Sequence, residues 1–595
     1  MPLKCTKNKA KAFLTVALLG NIIALYNKDV GPNLLDSEKR YNIMKTKYQE
    51  TKAVIIDCLS QMQIVGADDI LSIPPVVYDK KKEIYAQHNT IVQSKREQWK
   101  CNDELEFCEI AWILDYLFSI VMISLNENIA SRDGCELYVR VNPLLIKLMP
   151  YLSNDMDVYK PADGIIKELA HMLNFSIKDS ECEEIIKCLR YTAPVVMRTL
   201  DKNLVPVKNG VFLYDSKQLR PYSEEDIFIS KSKIDYIPNA TNPIINNPDG
   251  TIWDVESWML ELAAGDKELC NTLWEIIGAL LRPFVPWNKS AWLYSEKGNN
   301  GKGSLCELLR NILGEGSYCC IPLDQMGDAF ALESLIYASA IIVDENDVGA
   351  YIDRAANLKA IITQDVISVN RKFKTIIPVR FRGFMVQCLN SYPSFKDHSD
   401  SLYRRQLFIP MKACFTGVEK KYIKNDYLRR TDVLEYVLCR VLNMNYDSLS
   451  EPLACKEALR DYTEMNDPVV NFWNDIKHEV RWNFLPFTFL YDLYKAWFSY
   501  NKPSGTVLGK TTFMIRMEQI IANDTDWICK GRKNQIPVKK NSMEGPEPLI
   551  GQYNLTNWMN PSFRGANKAI LYTPELKSKY SGIERLIPVT NKDVV

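Results

Sequence analysis

One segment constrains the fold of this chain more than any other: a short apolar strand that leads through a turn rich in Gly and Asn into a helix. The strand covers 292–294, and the turn reads Gly298-Asn-Asn-Gly-Lys-Gly-Ser304. Glycines let backbone N–H groups curl around phosphate oxygens, and the helix N-terminus adds a partial positive charge. We therefore predict a phosphate-binding loop formed by Gly298, Asn299, Asn300, Gly301, Lys302, Gly303 and Ser304.

Two residues of this loop have chemical roles. Lys302 is expected to neutralise the β- and γ-phosphates of ATP, and Ser304 is expected to hold Mg²⁺. The match to the usual loop is incomplete, because Gly303 stands where Ser or Thr normally follows the lysine, and Glu296 replaces the opening glycine. On this segment alone, an ordinary Gly-rich turn is the alternative.

A pair of acids follows a second apolar strand. Residues 340–343 are apolar and are followed directly by Asp344 and Glu345. ATP hydrolysis needs one acid that holds Mg²⁺ through its waters and another that polarises the attacking water. We assign Asp344 to the metal and Glu345 to the water, with a strand that meets a solvated loop as the alternative.

A third apolar strand and two arginines come next. The strand ends at Asn390, whose amide can hydrogen-bond the γ-phosphate or the attacking water. Arg404 and Arg405 precede a further apolar run, where one of them would reach the ATP of a neighbouring subunit as an arginine finger. A structural salt bridge is the alternative for either arginine.

A cationic segment lies between the acids and Asn390. It contains the aromatic Phe373 and the cations Lys359, Arg371, Lys372 and Lys374. Cations around one aromatic ring suit a grip on a sugar-phosphate backbone, so we predict that these four residues bind DNA. A solvated charged turn would have the same composition.

Near the C-terminus, the pattern of helix, helix and basic turn is typical of a winged helix. Residues 486–497 form an amphipathic helix, and a second helix begins near 510. The basic turn that follows supplies the predicted DNA contacts Lys530, Arg532 and Lys533. A protein-interaction module is the alternative.

Length and composition set wider limits. A chain of 595 residues is too long for one hydrophobic core. Lys plus Arg (73) equals Asp plus Glu (73), so net charge argues neither for nor against a nucleic acid partner.

The 16 cysteines contain no C-x-x-C, which makes a zinc ribbon unexpected. So many unpatterned thiols suit a reducing cytoplasm, either bacterial or of a virus-infected host. The apolar runs 13–26 and 111–125 are interrupted or too short, so no membrane partner is expected.

Between about 290 and 412, the order and spacing of these segments resemble superfamily 3 helicases. The likeness is strongest to the primase–helicases of poxviruses, satellite phages, prophages and pathogenicity islands. A glycine after the loop lysine is similar to a variant of this family. The resemblance spans about 200 to 590 and does not extend to the first 195 residues. The matching segments are 298–304, 343–345, 358–363 with 370–374, 388–390 and 395–405.

The resemblance implies a multidomain α/β protein with an AAA+-like P-loop ATPase core, a mostly helical N-terminal region and a C-terminal winged-helix domain. It also implies a ring, expected to be a hexamer, with ATP and Mg²⁺ between subunits and movement 3′ to 5′. Lys372 and Lys374 are then expected on a hairpin inside the channel. Single-stranded and forked DNA are the expected partners, with origin DNA and host replication proteins as further ones.

Five segments follow from these features. They are a mainly helical N-terminal region, a pre-helicase domain with a hairpin around Asn209-Gly210, the helicase core, a helical connection and the winged helix. Their expected bounds are 1–195, 196–283, 284–430, 431–475 and 476–595. Within the first, Pro74 and Pro75 are expected to break the helical pattern.

The function inferred from this pattern is an ATP-dependent replicative DNA helicase of a phage, plasmid or genomic island. A DNA-bound initiator whose ATPase serves only assembly is the main alternative, and a signalling ATPase without a DNA role is a weaker one. A bifunctional primase–helicase is a further alternative. It is disfavoured because the N-terminal region offers only Asp68-Asp69 and scattered acids for a two-metal site.

Overall fold

The computed structural model describes residues 34–95, 97–125, 127, 132–347, 351–372, 374–397, 400–501, 507–530, 536–537 and 542–586. The chain divides into two compact units. The first extends to Asp397 and includes Arg404–Cys455, and the second comprises His398–Tyr403 and the residues from Lys456 onward. Among the helices of the described part, none has the length and apolar content that crossing a membrane requires.

Helices dominate the first part of unit one, and they surround a four-stranded mixed sheet that the sequence does not predict. The sheet order is β3-β2-β1-β4, with β4 parallel to β1 and the other pairs antiparallel. Its strands are β1 (Ile120–Ser124), β2 (Cys135–Arg140), β3 (Tyr159–Pro161) and β4 (Val195–Val196). The helices are α1 (Leu34–Gln61), α2 (Ala67–Ile91), α3 (Phe107–Leu117), α4 (Pro143–Leu148), α5 (Ala162–Leu173) and α6 (Asp179–Thr192).

The expected break at Pro74 and Pro75 is wrong, because helix α2 continues through both prolines. A proline in a helix interior costs about 3 kcal/mol through its missing N–H and a steric clash. The buried face of α2, which includes Ile70, Ile73 and Val77, packs into the core and offsets this cost.

The expected hairpin around Asn209-Gly210 is confirmed, since β5 (Leu204–Val207) pairs antiparallel with β6 (Gly210–Leu213). Gly210 has φ +155°, and a side chain there would collide with the carbonyl of Arg220 on β7 (Gln218–Arg220). A two-stranded ribbon, β8 (Ile245–Asn246) and β9 (Ile252–Trp253), follows. Helices α7 (Val255–Leu262) and α8 (Lys267–Leu281) then lead to the central sheet.

The central sheet of unit one has five strands in the order β11-β12-β16-β10-β18, and every neighbouring pair is parallel. The carboxyl ends of all five strands therefore lie at one edge of the sheet. The strands of this region are β10 (Ser290–Tyr294), β11 (Tyr318–Cys319), β12 (Ala340–Val343), β13 (Tyr351–Ile352), β14 (Val366–Arg371), β15 (Lys374–Arg380), β16 (Phe384–Leu389), β17 (Ser394–Phe395) and β18 (Gln406–Pro410). Its helices are α9 (Lys302–Leu313), α10 (Ala356–Ile362), α12 (Lys421–Asn425) and α13 (Thr431–Leu442), whereas α11 (Asp400–Tyr403) belongs to unit two.

Unit two packs helices around an antiparallel sheet of order β19-β23-β20. The two helices expected before the basic turn are present as α16 and α17. Arg532 and Lys533 of that turn lie outside the described residues, so the winged helix stays a prediction. The helices are α14 (Leu453–Asn466), α15 (Pro468–Ile476), α16 (Phe487–Asn501), α17 (Lys510–Ala522), α18 (Pro548–Gln552) and α19 (Lys568–Leu571). The strands are β19 (Phe484–Pro486), β20 (Trp527–Lys530), β21 (Ile536–Pro537), β22 (Lys579–Tyr580) and β23 (Gly582–Arg585).

A buried ion pair links α2 to α3 in the N-terminal core. The ammonium of Lys81 lies 3.0 Å from a carboxylate oxygen of Glu109, and the two side chains are only 2% and 4% exposed. Burial raises the pKa of Glu109, while Lys81 and the backbone N–H of Glu106 oppose that rise. Lys81 is therefore the counter-charge that favours the ionised form of this buried carboxylate.

We predict that Lys81→Met destabilises this core by about 3–5 kcal/mol, because it leaves a buried carboxylate without its counter-charge. The double variant Lys81→Met/Glu109→Gln should recover part of that loss, since it removes the charge and keeps the contact to Glu106. Urea unfolding followed by circular dichroism measures both. Equal midpoints for the single and double variants would contradict the prediction.

Candidate active site

The predicted phosphate loop joins β10 to α9 in the structure. Helix α9 begins at Lys302, and Gly301 caps it with φ +84°. A side chain at Gly301 would collide with Leu262, so both the backbone angle and the space require glycine. Asn299 also has a positive φ of 53°. The expected order of strand, tight turn and helix is confirmed.

The Lys302 side chain is buried beneath this loop and ties it to the end of β16. Its Nζ donates to the carbonyls of Ser295 (3.0 Å) and Leu389 (2.9 Å) and to Oδ1 of Asn390 (2.8 Å). Burial lowers the pKa of the Lys302 ammonium, and neighbouring groups that include Glu345 oppose that shift. The sequence predicted Lys302 and Asn390 separately, and the fold brings them into direct contact.

Asp344 lies at the same edge of the sheet. It follows β12, which pairs in parallel with β16 so that Val343 faces Gln387. Oδ2 of Asp344 accepts a hydrogen bond from Nη1 of Arg310 on α9 at 2.7 Å, whereas its buried Oδ1 has no hydrogen-bond partner among the described residues. Glu345, the next residue, is exposed. One carboxylate is thus anchored beside the loop helix, and the other faces solvent.

Two polar residues of this site were missed by sequence reasoning. Arg310 holds Asp344, and the amide of Asn346 fixes the loop after β12 by donating to Gln387 (2.9 Å) and to the carbonyl of Cys388 (3.0 Å). The position of Asn346 directly after the acid pair was a usable signal. The sequence held no signal for Arg310, because its contact with Asp344 depends on how α9 packs against the sheet.

A cleft opens at this edge next to Asn390. Its volume is about 280 Å³ with its open mouth included. Polar side chains line much of it, namely Asp324, Asn346, Asp347, Asn390 and Ser391. Acidic, amide and apolar side chains therefore line the cleft together, and it includes Asn390, one of the acceptors of Lys302.

Two oxygen donors at this edge of the sheet could hold a magnesium ion. Asp344 offers one oxygen without a partner, and Ser304 is half-buried in the first turn of α9. Mg²⁺ prefers oxygen ligands and keeps several waters, so one carboxylate and one hydroxyl are a sufficient protein contribution. The thiols of Cys306 and Cys388, which lie against Asp344, are poor ligands for it.

Arg404 and Arg405 lie at the opposite edge of the sheet. They precede β18, whose first residue, Gln406, pairs with Ser290 at the start of β10. Arg404 is exposed and Arg405 is half-buried. Their backbone carbonyls accept from Lys289 and Ser290. Neither arginine is therefore placed beside the Lys302 of its own chain.

The predicted DNA contacts differ in their surroundings. Strands β14 and β15 form an antiparallel hairpin, with Lys372 exposed at its turn. Arg371 is buried and paired with Glu136 on β2, so its guanidinium has no access to a phosphate and we withdraw it from the predicted contacts.

Lys359 is half-buried and pairs with Asp397 at 2.6 Å. Lys530 is half-buried at the end of β20. The side chain of Lys374, like Arg532 and Lys533, lies outside the described part.

Three protein-family profiles match segments of the chain. A profile described as "D5 N terminal like" matches residues 121–260, one described as a family of unknown function (DUF5906) matches 293–405, and one described as "Poxvirus D5 protein-like" matches 464–547. No curated protein matches the chain. The "D5 N terminal like" match begins at residue 121. The expectation that the resemblance does not reach into the first 195 residues is therefore wrong.

Solved structures also match at low identity. An A-form apo structure of the NrS-1 C-terminal region is 14% identical, with 81% of this chain and 99% of that chain covered and a TM-score of 0.37. A second apo structure of that region is 16% identical, with 70% and 86% covered and a TM-score of 0.35. The resemblance to the D5-type primase–helicases of phages and viruses is confirmed, with its D5-like matches in segments 121–260 and 464–547.

Proposed function

We propose that this chain is an ATP-hydrolysing motor that unwinds DNA during replication of a phage, plasmid or genomic island. The observation that supports this most is the meeting of Lys302, Asn390 and Asp344 at the carboxyl edge of one parallel sheet. In open parallel sheets, ligands bind in the crevice outside the carboxyl ends of the strands. Nucleotide chemistry needs a lysine, a polar amide and a metal-holding acid in such a crevice.

The contacts of Lys302 suggest how a nucleotide would enter. Burial lowers the pKa of the Lys302 ammonium, which donates to three protein oxygens. Phosphate oxygens bear more negative charge, so the ammonium would exchange these acceptors for them. Asn390, released from Lys302, is then free to orient the attacking water or the γ-phosphate. Glu345, which is exposed and follows the neighbouring strand β12, would polarise that water.

Mg²⁺, held by Ser304 and Asp344, would neutralise charge that develops on the β- and γ-phosphates. The loop residues Gly298, Asn299, Asn300, Gly301 and Gly303 would supply backbone N–H groups to the phosphates. Arg310 stays on the other oxygen of Asp344 and keeps the carboxylate oriented. These roles form an AAA+-like P-loop ATPase core.

The arginine positions support a homo-oligomer. Because Arg404 and Arg405 lie at the sheet edge opposite Lys302, an arginine finger has to act on a neighbouring copy. A closed ring of such copies, proposed as a hexamer, would put Lys372 of each hairpin on a DNA strand in the channel, with Lys374 beside it. Movement 3′ to 5′ on forked DNA is the direction we propose.

Lys302→Ala tests the ATPase. We expect ATP hydrolysis to fall by about 10²–10³-fold, the usual cost of removing one preorganised donor from a transition state, and strand displacement on a 3′-tailed fork to stop. Lys456→Ala is the matched control, since that lysine is exposed and remote from the loop in sequence. A wild-type chain that binds the fork and hydrolyses ATP yet displaces no strand would favour the initiator function instead.

Mixed oligomers test the finger. The double variant Arg404→Ala/Arg405→Ala should lose much of the rate of ATP hydrolysis that an arginine finger contributes, which is roughly 10³–10⁵-fold. Mixing it with Lys302→Ala should restore part of the ATPase activity, because one subunit then supplies the arginine and the other the intact loop. An inactive mixture that still assembles would contradict action between subunits.

Lys372→Glu tests the hairpin. We expect weaker binding of single-stranded DNA and a salt dependence that is smaller by about one phosphate contact, measured by fluorescence anisotropy across salt concentrations. Lys456→Glu controls for the change of charge. An unchanged salt slope for Lys372→Glu would remove the hairpin from the DNA path.

A further inference from the structure

Two thiols and a carboxylate meet behind the phosphate loop. Cys306 on α9 and Cys388 on β16 are 0% and 1% exposed, and their sulfur atoms are 3.4 Å apart. Asp344 completes the group, and the three ligand atoms all lie within 4.8 Å of one another. We name these three residues the thiol–carboxylate cluster.

The secondary structure explains why the cluster forms. Val343 on β12 pairs with Gln387 on β16, so the next residues along these parallel strands, Asp344 and Cys388, lie side by side. Cys306 and Arg310 are one turn apart on α9 and therefore face the same strands.

The donor set points to a particular class of cation. Two sulfurs and one carboxylate oxygen suit borderline-soft and soft divalent cations, whereas Mg²⁺ and Ca²⁺ take oxygen ligands. Zn–S bonds of about 2.3 Å in a tetrahedral site separate two sulfurs by about 3.8 Å. The spacing of 3.4 Å between Cys306 and Cys388 is therefore within a few tenths of an ångström of such a site.

We propose that the thiol–carboxylate cluster binds one thiophilic divalent cation such as Zn²⁺ or Cd²⁺ through Cys306, Cys388 and Asp344. Both thiols release their protons to solvent when the cation binds, and a water molecule fills the fourth position. The Asp344 side chain is 33% exposed, so the cluster lies next to the sheet edge.

The surroundings of Asp344 leave room for this ligand. Arg310 occupies Oδ2, whereas Oδ1 is buried with no hydrogen-bond partner among the described residues. The same carboxylate is the proposed Mg²⁺ ligand, so a thiophilic cation would compete with Mg²⁺ for Asp344. The cluster itself needs no nucleotide, and the inference therefore goes beyond the proposed function.

Cadmium titration of the reduced, full-length chain tests the cluster without nucleotide. Thiolate-to-cadmium charge transfer absorbs in the ultraviolet, and we expect about one metal equivalent of this signal to be lost in Cys306→Ser/Cys388→Ser. Cys270→Ser/Cys455→Ser is the matched control, because both of those thiols are also buried. Equal absorption by the cluster variant and the wild type would overturn the proposal.

Asp344→Asn separates a three-ligand site from a pair of thiols alone. It keeps both sulfurs and removes the charged oxygen, so cadmium affinity should fall at least about tenfold. An unchanged affinity would contradict the proposed ligand set. Because the difference in cadmium absorption between wild type and the cluster variant is measured without nucleotide, failure here leaves the helicase proposal standing, and loss of helicase activity does not affect this test.

Discussion

The ammonium of Lys302 joins the phosphate loop to the neighbouring strand β16, and the geometry of the site depends on that contact. One side chain bridges the carbonyl of Ser295 before the turn and the carbonyl of Leu389 at the strand end. A buried cation is costly unless it is hydrogen-bonded, so these oxygens are needed while no phosphate is present. The loop is therefore held in position before any ligand arrives.

A second contact of the same kind orients the acid. Arg310 holds one oxygen of Asp344 from helix α9, and the amide of Asn346 fixes the loop that follows. Helix α9 thus reaches both sides of the site, through Lys302 at its start and Arg310 near its end. A change in how α9 packs on the sheet would alter the lysine, the acid and the thiol–carboxylate cluster together.

Sequence patterns predicted the parts of this site that stand at strand ends. Lys302, Asp344 and Asn390 follow apolar runs, and parallel strands bring such positions to one edge. Arg310 and the Cys306–Cys388 pair were not predictable, because their contacts depend on the rotation of α9 against the sheet. The burial of Arg371 was hidden for another reason, since its partner Glu136 lies on a distant strand that the sequence did not predict. The helix through Pro74 and Pro75 shows tertiary packing overriding local preference.

The most direct measurement of the central claim is an experimental structure of the chain with Mg²⁺ and a non-hydrolysable ATP analogue. We predict that Nζ of Lys302 leaves Leu389 and Asn390 and lies about 2.7–2.9 Å from a phosphate oxygen, the usual length of a charge-assisted hydrogen bond. We also predict Mg²⁺ between that phosphate and Asp344. A nucleotide bound elsewhere, with Lys302 still on its three protein oxygens, would contradict the account.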